Sequence, residues 1–378
     1  MSEVIVYDNS YNFLSSYNWD FADTTTDAIA QIHPYPARFI SEIPDTLIKE
    51  LMKGKNSLVF DPFCGSGTTL VAAQKNGLNS VGVDLNPIAC LLSRVKTSKL
   101  PVDFLGLAKS IKEKAEAAYN DAVEVPDIPN LDHWFKKDIQ IAISTLLQEI
   151  NKVENKYNSD ILRLSLSSII VRVSNQESDT RYAAIEKNYT SNDVYDAFLK
   201  ACKKTNEALS ERKNVDKEAF VIEQDILTVE KDQLPGKVGL IVTSPPYPNA
   251  YEYWLYHKYR MWWLGLDPLN VRTYEIGCRP KYHKKNGETE KDFEKQMAKV
   301  FDLFAEVLEH QGHIGFVVGR SVIRGKEIDN SKLISDIARR KGFTLCADIK
   351  RNISSTKKSF NLKYGKINTE NILIFRRD

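Results

Sequence analysis

A loop with two glycines, set between a predicted strand and a predicted helix, determines the architecture that we expect for this chain. The run Ser57–Phe60 is short, apolar and typical of a buried strand, and the loop Asp61-Pro62-Phe63-Cys64-Gly65-Ser66-Gly67-Thr68-Thr69 follows it. A helix is predicted from Leu70 onward, and Ser80–Val83 has the texture of the next strand. Strands that alternate with helices in this way are typical of βαβ units and a mainly parallel sheet.

The remaining strands are predicted far along the chain, after a long helical stretch. Apolar runs that indicate strands lie at 220–222, 238–242, 313–318 and 371–375. Residues 101–215 instead have apolar side chains at helical spacing. We therefore expect one α/β sheet, formed by residues 25–100 and 216–378, with a mostly helical insertion at 101–215.

The composition excludes several classes of protein. A hydrophobic content of 42% with 27% charged residues is that of a soluble globular chain, and no apolar run approaches the ~20 residues that cross a bilayer. The five cysteines are scattered and form no C-x-x-C pair, so we expect neither a disulfide framework nor a zinc ribbon. The first ten residues, MSEVIVYDNS, lack the basic and apolar regions of an export signal. A net charge of +2 excludes a uniformly basic protein but not a locally basic face.

The glycine loop is compatible with a cofactor site. It fits neither a P-loop, because no lysine follows Gly67, nor a dinucleotide fingerprint, because Leu70 stands at the place of the last glycine. Asp84 ends the next predicted strand, 17 residues after Gly67, where a carboxylate can accept hydrogen bonds from ribose hydroxyls. The alternative is a plain strand-to-helix turn, with Asp84 as an ordinary helix cap. The combination favours a nucleoside cofactor.

A second motif, Thr243-Ser244-Pro245-Pro246-Tyr247, follows the predicted strand 238–242. Consecutive prolines fix the backbone and remove two hydrogen-bond donors, so the motif predicts a stiff turn. Ligands of open α/β sheets bind at the carboxyl ends of the strands, where this turn lies. A proline-stiffened loop that ends in a packed tyrosine is the alternative.

Together, the loop at 61–69 and the motif at 243–247 resemble those of the exocyclic-amine DNA methyltransferases, which methylate N4 of cytosine or N6 of adenine with S-adenosylmethionine. The segment His33-Pro34-Tyr35-Pro36-Ala37-Arg38-Phe39 is similar to the one that closes over the methionine part of the cofactor in that family. The resemblance covers residues 31–100 and 220–325. It implies a Rossmann-like sheet of seven strands with helices on both faces.

The resemblance also implies roles for individual residues. Ser244, Pro245, Pro246 and Tyr247 would be catalytic, Asp84 would bind ribose, the Phe63–Thr68 loop the methionine end and Asp225 the adenine. The cofactor-binding residues that it implies are Tyr35, Asp61, Phe63, Gly65, Ser66, Gly67, Thr68, Asp84, Asp225 and Thr243. In the chemistry that it implies, the Ser244 hydroxyl and a nearby carbonyl would accept hydrogen bonds from the target amine, and Tyr247 would stack on the extruded base.

The residues of the second motif also bear on the target base. Methylation at carbon 5 of cytosine needs a cysteine nucleophile, typically after a proline, and no cysteine here follows a proline. Within the family, serine at the first position is commoner among N4-cytosine enzymes, whereas N6-adenine enzymes usually have aspartate or asparagine. We therefore expect N4-cytosine, with N6-adenine as the alternative.

Basic residues outside the motifs are candidates for contacts with DNA phosphates. One cluster is Arg279, Lys281, His283, Lys284 and Lys285, and a second one runs from Lys350 to Lys366 without an acidic residue. In the insertion, the polar stretch Ser174–Tyr182 contains Arg181. Solvated surface is the alternative in each case. The DNA-binding candidates are Arg181, Arg279, Lys281, Lys284, Lys357 and Lys358.

The resemblance implies duplex DNA as partner, residues 101–215 as the target-recognition lobe and a prokaryotic, cytoplasmic location. A cognate restriction endonuclease is a candidate partner. No histidine spacing indicates a metal, and we expect none. Two other functions stay open: methylation of an RNA or protein amine through the same motif, and a cofactor-bound subunit that needs a partner for activity.

Overall fold

The computed structural model describes residues 2–22, 27–37, 39–212, 215–248, 252–284, 286–353 and 369–378. Its strands in chain order are β1 (Glu3–Val6), β2 (Leu58–Asp61), β3 (Ser80–Asp84), β4 (Gln176–Ser178), β5 (Arg181–Ala184), β6 (Ala219–Glu223), β7 (Val238–Thr243), β8 (Leu308–Gly319), β9 (Ser321–Ile323), β10 (Lys326–Ile328), β11 (Phe343–Asn352) and β12 (Thr369–Arg377).

The helices alternate with these strands at both ends of the chain and dominate its middle. They are α1 (Glu42–Leu51), α2 (Thr68–Lys75), α3 (Pro87–Thr97), α4 (Phe104–Ala117), α5 (Leu131–Trp134), α6 (Lys137–Asn151), α7 (Lys156–Val173), α8 (Ser191–Ser210), α9 (Tyr253–Trp263), α10 (Pro268–Tyr274), α11 (Arg279–His283), α12 (Glu290–Val307) and α13 (Asn330–Arg340). Short 3-10 helices lie at Asn9–Ser16, Ala28–Gln31, Ile226–Thr228 and Lys231–Gln233.

The central sheet has the order β1-β11-β12-β8-β7-β2-β3-β6. Strands β6, β3, β2, β7 and β8 are mutually parallel, and β12 lies antiparallel between β8 and β11. The predicted α/β architecture is therefore confirmed, with eight strands in the sheet where the resemblance implies seven, and six of them coincide with predicted runs. The other two, β1 and β11, were not predicted; they pair antiparallel from Glu3 to Val6, and the four residues of β1 carry too weak a pattern.

Both faces of the sheet are covered, so its central strands are apolar throughout. All four residues of β2 and all six of β7 are buried. On one face Phe60, Ile241 and Phe316 pack against α12 and α13, and on the other Val59 and Leu240 pack against α1 and α2. Burial on both faces is typical of parallel sheets, and it fixes the strand ends that carry the two motifs.

The predicted helical character of residues 101–215 is confirmed, with one addition. Helices α4 to α8 fill the region, and the predicted polar stretch forms the small hairpin β4–β5. The helices share one hydrophobic cluster with α3 and α9, which includes Leu92, Phe135, Ile143, Phe198 and Trp263. The division into a catalytic domain and a recognition lobe stays a prediction.

The hairpin is attached to α9 by a buried arginine. Arg260 is fully buried, forms an ion pair with Asp179 at the hairpin turn, and donates from Nε to the Ser167 carbonyl at 3.2 Å. The ammonium of Lys258 lies 4.9 Å from the ring centre of Tyr182, on the next strand of the hairpin. The hairpin is thus connected to the helix that follows the second motif.

Replacement of Arg260 tests this attachment. Arg260→Leu removes charge-assisted hydrogen bonds from a buried site, and we expect it to lower the free energy of unfolding by about 2–3 kcal/mol in urea titrations. Arg272→Leu is the control: Arg272 is exposed and lies over Trp254, so we expect a loss within about 1 kcal/mol. Equal losses in the two variants would contradict the role of Arg260.

Candidate active site

Four strand ends at one edge of the sheet bring the sequence motifs together. Strands β7, β2, β3 and β6 are neighbours and run parallel, so their carboxyl ends lie side by side. Thr243 ends β7, Asp61 ends β2 and Asp84 ends β3, while Asp225 follows β6. The glycine loop, the second motif, Asp84 and Asp225 therefore form one row.

A buried hydrogen bond joins the two motifs directly. The Thr243 hydroxyl donates to Asp61 Oδ1 at 2.7 Å, and the Phe63 amide donates to the same oxygen at 3.1 Å. Both side chains are almost fully buried. Burial raises the pKa of Asp61 to about 6, although the hydrogen bonds to Thr69, Thr243 and the Phe63 amide oppose the shift. Thr243 and Asp61, both predicted cofactor residues, thus hold each other in place.

The two glycines of the loop are required by its conformation. Gly65 and Gly67 have φ of 48° and 75°, in the left-handed region that favours glycine. A Cβ on Gly67 would lie 2.7 Å from Ser93 Oγ and 2.9 Å from its Cα, so no side chain fits there. Ser93 in turn donates to the Gly65 carbonyl at 2.9 Å. Helix α3 therefore sets the path of the loop, and α2 begins directly after it at Thr68.

Asp84 holds the loop and does not cap the following helix. Its Oδ2 accepts from the Gly65 amide and its Oδ1 from the Asn86 amide, both at 2.8 Å. The cap of α3 is Asn86, which accepts from the Ile88 amide at 3.0 Å, so the alternative of an ordinary cap at Asp84 is wrong. Burial raises the pKa of Asp84 to about 6.

An aromatic layer lies over the glycine loop. A Cβ built on Gly65 would lie 3.2 Å from the Tyr35 hydroxyl, so the phenol closely approaches the loop. The Tyr35 ring stacks on Tyr253, the first residue of α9, with ring centres 5.7 Å apart, and lies 5.3 Å from His257. The preceding His33 is buried and its Nε2 lies 3.0 Å from Ser167 Oγ, which agrees with a structural role.

The second motif presents Ser244 and Tyr247 on the same side of the turn. The Tyr247 hydroxyl donates to the Val317 carbonyl of β8 at 3.3 Å. Ser244 Oγ lies 3.4 Å from the same Tyr247 hydroxyl. Burial raises the pKa of Tyr247, so its hydroxyl stays protonated. Pro245 is buried, whereas Ser244, Pro246 and Tyr247 are half-buried. A hydroxyl and an aromatic ring thus lie together beside the glycine loop.

The remaining predicted cofactor residues extend the row. Asp225 is half-buried and accepts from the Leu227 amide at 3.0 Å, which opens a 3-10 helix. The half-buried side chain of Phe63 packs on the same hydrophobic cluster as Tyr247. Ser66 Oγ and Thr68 Oγ1 lie 3.4 Å apart at the start of α2.

Sequence reasoning missed the segment that closes the site from above. Glu275 is 7% exposed and accepts from the amides of Tyr253 and Trp254 at 2.8 and 3.3 Å. Gly277 has φ of 76°, and a Cβ there would lie 2.5 Å from the Tyr247 carbonyl. Nothing in the surrounding run Tyr274–Cys278 signals this position, because the contacts join residues that are distant in sequence.

The basic candidates lie on two surface elements. Arg181 is exposed on β5 and pairs with Glu177 at 2.7 Å. Lys281 lies 3.7 Å from Glu288, and Arg324 holds the main chain of this segment through the carbonyls of Tyr282 and Lys284. Arg279 opens α11 and is half-buried. Lys285, Lys357 and Lys358 lie outside the described residues.

Among the described residues, no helix is long and apolar enough to span a bilayer. In the same part of the chain, no group of three or more histidine, cysteine, aspartate or glutamate side chains has the geometry of a metal site.

Comparison with known proteins agrees with this geometry. A family model described as DNA methylase, of the N6 and N4 type, matches residues 7–94. The Type II methyltransferase M.MvaI from Kocuria varians is 25% identical over 252 residues, which cover 61% of this chain and 56% of the relative. The Type II methyltransferase M.BsoBI from Geobacillus stearothermophilus is 23% identical over 277 residues, 63% of this chain and 53% of the relative. The chain is thus similar to DNA methylases of the N6 and N4 type and to Type II methyltransferases.

The chain spans about half the length of the curated relatives it matches. Among solved structures, the N-methyltransferase NodS from Bradyrhizobium japonicum in complex with S-adenosyl-L-homocysteine covers 98% of this chain and 99% of its own, with 9% identity and a TM-score of 0.35. S-adenosylmethionine is the cofactor of the exocyclic-amine DNA methyltransferases, which this chain resembles.

The residues at the sheet edge fit that cofactor. Asp61 and Glu275 are buried and Asp84 is half-buried, and desolvation raises the pKa of each carboxyl group. Within the described ranges, no lysine or arginine pairs with any of them. A site bordered by carboxylates and aromatic rings suits a ligand with sulfonium and ammonium charges.

Removal of the Thr243 hydroxyl tests the joint between the motifs. Thr243→Val leaves Asp61 without one buried donor, so we expect a loss of about 1–3 kcal/mol in the free energy of unfolding, measured in urea at pH 7.5. Thr273→Val, which removes an exposed hydroxyl that bonds within its own helix, should cost less than about 0.5 kcal/mol. A Thr243→Val protein as stable as this control would contradict the proposed joint.

Proposed function

We propose that this protein is a site-specific DNA methyltransferase that transfers a methyl group from S-adenosylmethionine to the exocyclic N4 amine of a flipped cytosine in duplex DNA. One observation carries the proposal: Ser244 and Tyr247 lie at the end of β7, and the hydrogen bond from Thr243 to Asp61 joins that strand end to the glycine loop. Target and cofactor sites are thereby adjacent. The N6 amine of adenine is the alternative target.

The cofactor roles follow from the order of the strand ends. Asp84 has lone pairs beyond the two that accept the Gly65 and Asn86 amides, and these would accept the ribose hydroxyls. The Phe63–Thr68 loop, with Gly65, Ser66 and Gly67, would hold the methionine end, with Tyr35 above it. Asp225, one strand further along, would contact the adenine. When bound, S-adenosylmethionine supplies an electrophilic methyl group.

Ser244 and Tyr247 would handle the target base. The lone pair of an amine on an aromatic ring is delocalised, so the amine is a poor nucleophile. The Ser244 hydroxyl and a carbonyl of the Ser244–Pro245 stretch would accept its hydrogens and direct the lone pair away from the ring. The two prolines keep these acceptors in place, and such orientation alone contributes several kcal/mol to a rate. Serine at this position supports cytosine.

The hydrogen bond of Tyr247 gives its ring a defined position for stacking. Because the Tyr247 hydroxyl is anchored to the Val317 carbonyl, the ring does not rotate freely. An extruded base would stack on its open face, as in enzymes that flip bases. The segment at Gly277 supports the main chain of Tyr247 from the other side.

DNA would be held by the basic residues of two elements. Arg181 on the β4–β5 hairpin and Arg279, Lys281 and Lys284 around α11 are the described candidates for phosphate contacts. Lys357 and Lys358, which lie outside the described residues, are candidates for phosphate contacts from the sequence alone. Residues 101–215 would form the target-recognition lobe, and residues 25–100 and 216–378 the catalytic domain.

The relatives support a place in a restriction–modification system. Both M.MvaI and M.BsoBI are Type II methyltransferases. A cognate restriction endonuclease is therefore the partner that we propose besides duplex DNA. Because the proposed substrate is cellular DNA, we expect the protein in a prokaryotic cytoplasm, at the nucleoid.

The reaction is tested with the purified protein, labelled S-adenosylmethionine and unmethylated genomic DNA. The DNA is digested to nucleosides and analysed by mass spectrometry. N4-methylcytosine is the expected product. N6-methyladenine would keep the mechanism and overturn the choice of base, whereas label in RNA or protein alone would overturn the choice of substrate.

Substitutions in the second motif test the division of roles. We expect Ser244→Ala and Tyr247→Ala each to lower turnover on the order of 10²-fold, because each removes a group that orients the target amine or base. Cofactor affinity, measured by calorimetry, should stay unchanged. Tyr274→Ala, at an exposed tyrosine of α10, is the control for tyrosine removal. Equal loss of cofactor affinity and turnover would refute the assignment.

Salt dependence tests the phosphate contacts. Loss of two contacts should lower the slope of log affinity against log salt concentration by roughly two, so the Lys281→Ala, Lys284→Ala double variant should bind all duplexes more weakly and with a shallower slope. Lys332→Ala, Lys341→Ala on and after α13 is a control of equal charge. An unchanged slope in the first variant would remove these residues from the DNA surface.

A further inference from the structure

Glu275 is a buried carboxyl group that anchors the amino end of α9. It lies between α10 and α11 and is 7% exposed. Its two oxygens accept separate amides, Oε1 from Tyr253 at 2.8 Å and Oε2 from Trp254 at 3.3 Å. Tyr253 and Trp254 are the first residues of α9, where an anion is favoured by the unpaired amides of the helix.

The end of α9 that Glu275 holds is a wall of the cofactor site. Tyr253 stacks on Tyr35, and Tyr35 in turn approaches Gly65 of the glycine loop. Two residues after Glu275, Gly277 packs against the Tyr247 carbonyl. Through these contacts, Glu275 connects the aromatic layer above the cofactor loop to the catalytic motif.

The surroundings of Glu275 disfavour its negative charge. Burial, together with the nearby carboxylates of Asp84 and Glu252, raises its pKa to about 8, although the two amides favour the ionised form. The other titratable groups that face Glu275 are the phenol of Tyr35 and the thiol of Cys278. Burial raises the pKa of both, so both are neutral at pH 7. Among the residues described, no cation pairs with Glu275. Without a positive charge nearby, Glu275 is therefore mostly protonated at neutral pH.

A protonated carboxyl group is a poor anchor for two amides. Its hydroxyl oxygen carries a proton and accepts a hydrogen bond weakly, so one of the two α9 amides loses a strong partner. A positive charge placed nearby would favour the carboxylate and strengthen both bonds. The cofactor carries a sulfonium charge, and its product after methyl transfer does not.

We propose that Glu275 is a positioning residue that senses the charge of the bound cofactor and strengthens the anchoring of α9 beside the cofactor loop when that charge is present. Binding of S-adenosylmethionine releases the Glu275 proton to solvent, and the resulting carboxylate holds the amides of Tyr253 and Trp254. Loss of the sulfonium charge allows the proton to return and loosens α9, which favours release of the product. This inference rests on the proposed cofactor.

The first test uses the wild-type protein and isothermal calorimetry in buffers with different ionisation enthalpies at pH 7. A carboxyl group with a pKa near 8 is mostly protonated at that pH, so S-adenosylmethionine should release roughly half to one proton. S-adenosylhomocysteine should release almost none. Equal proton release with both ligands would overturn the proposal, and no variant is needed for this result.

The second test compares Glu275→Gln with Glu252→Gln. Glutamine has the shape of the protonated carboxyl group, so affinity for S-adenosylmethionine at pH 8.5 should fall about tenfold while affinity for S-adenosylhomocysteine is unchanged. The ratio of the two affinities should also lose its dependence on pH. Glu252→Gln removes one of the two neighbouring carboxylates that raise the pKa of Glu275, so it should keep the affinity ratio at pH 8.5 and shift the pH dependence of that ratio to lower pH. A Glu275→Gln protein that binds both ligands equally weakly would reveal a purely structural role.

Stability of the ligand-free protein provides a further check. Because the pKa of Glu275 is raised on folding, its ionisation destabilises the folded state as pH rises from about 4.5 towards 8. Glu275→Gln should therefore unfold at a higher temperature than wild type at pH 8.5, although it binds the cofactor less tightly. A lower unfolding temperature would contradict the charge argument. Failure of the wild-type protein to bind either ligand would instead refute the proposed function.

Discussion

The hydrogen bond between Thr243 and Asp61 is the contact on which the site depends. It connects residues that are 182 positions apart, at the ends of two adjacent parallel strands, and both side chains are buried. A second buried bond, from the Thr69 hydroxyl to the Val242 carbonyl at 3.3 Å, supports the same joint. Through the bond between Thr243 and Asp61, the position of Phe63 in one motif is coupled to that of Ser244 in the other, because each is within two residues of the shared bond.

The edge of the sheet carries an electrostatic cost that a ligand can offset. Asp61 and Glu275 are buried and Asp84 is half-buried, and their ionised carboxyl groups would be more stable in water than in this position. Main-chain amides satisfy part of their hydrogen-bonding capacity, but amides do not neutralise charge. The arrangement therefore favours a positively charged ligand over a neutral one of the same shape, and in the proposed reaction the loss of the sulfonium charge would favour product release.

The fold and the location of the site could be predicted from local patterns, whereas the closure of the site could not. The loop 61–69 and the motif 243–247 are contiguous strings at predicted strand ends, so the rule that parallel strands share a carboxyl edge brings them together. The edge strand β1 and the anchor at Glu275 depend on contacts between distant residues, for which the local sequence has no signal. The cap at Asn86 is local, because it accepts from the Ile88 amide and precedes Pro87, and sequence reasoning overlooked it. Asp84 illustrates the limit: its position was predicted correctly, but its bonds to Gly65 and Asn86 follow only from the structure.

Helix α9 links the two parts of the chain that would handle DNA. Its first residue stacks on Tyr35 above the glycine loop, and its Arg260, two turns later, holds Asp179 of the β4–β5 hairpin. Between them, His257 is fully buried against Tyr35, and burial lowers its pKa well below the usual range, so no charge develops inside the helix packing at physiological pH. A rigid element that contacts the cofactor site at one end and the insertion at the other transmits a shift at either end. The position of the hairpin is thus coupled to the aromatic layer through one helix. A DNA target held by the hairpin would be aligned with the proposed cofactor site by the contacts of α9 with Tyr35 and Asp179.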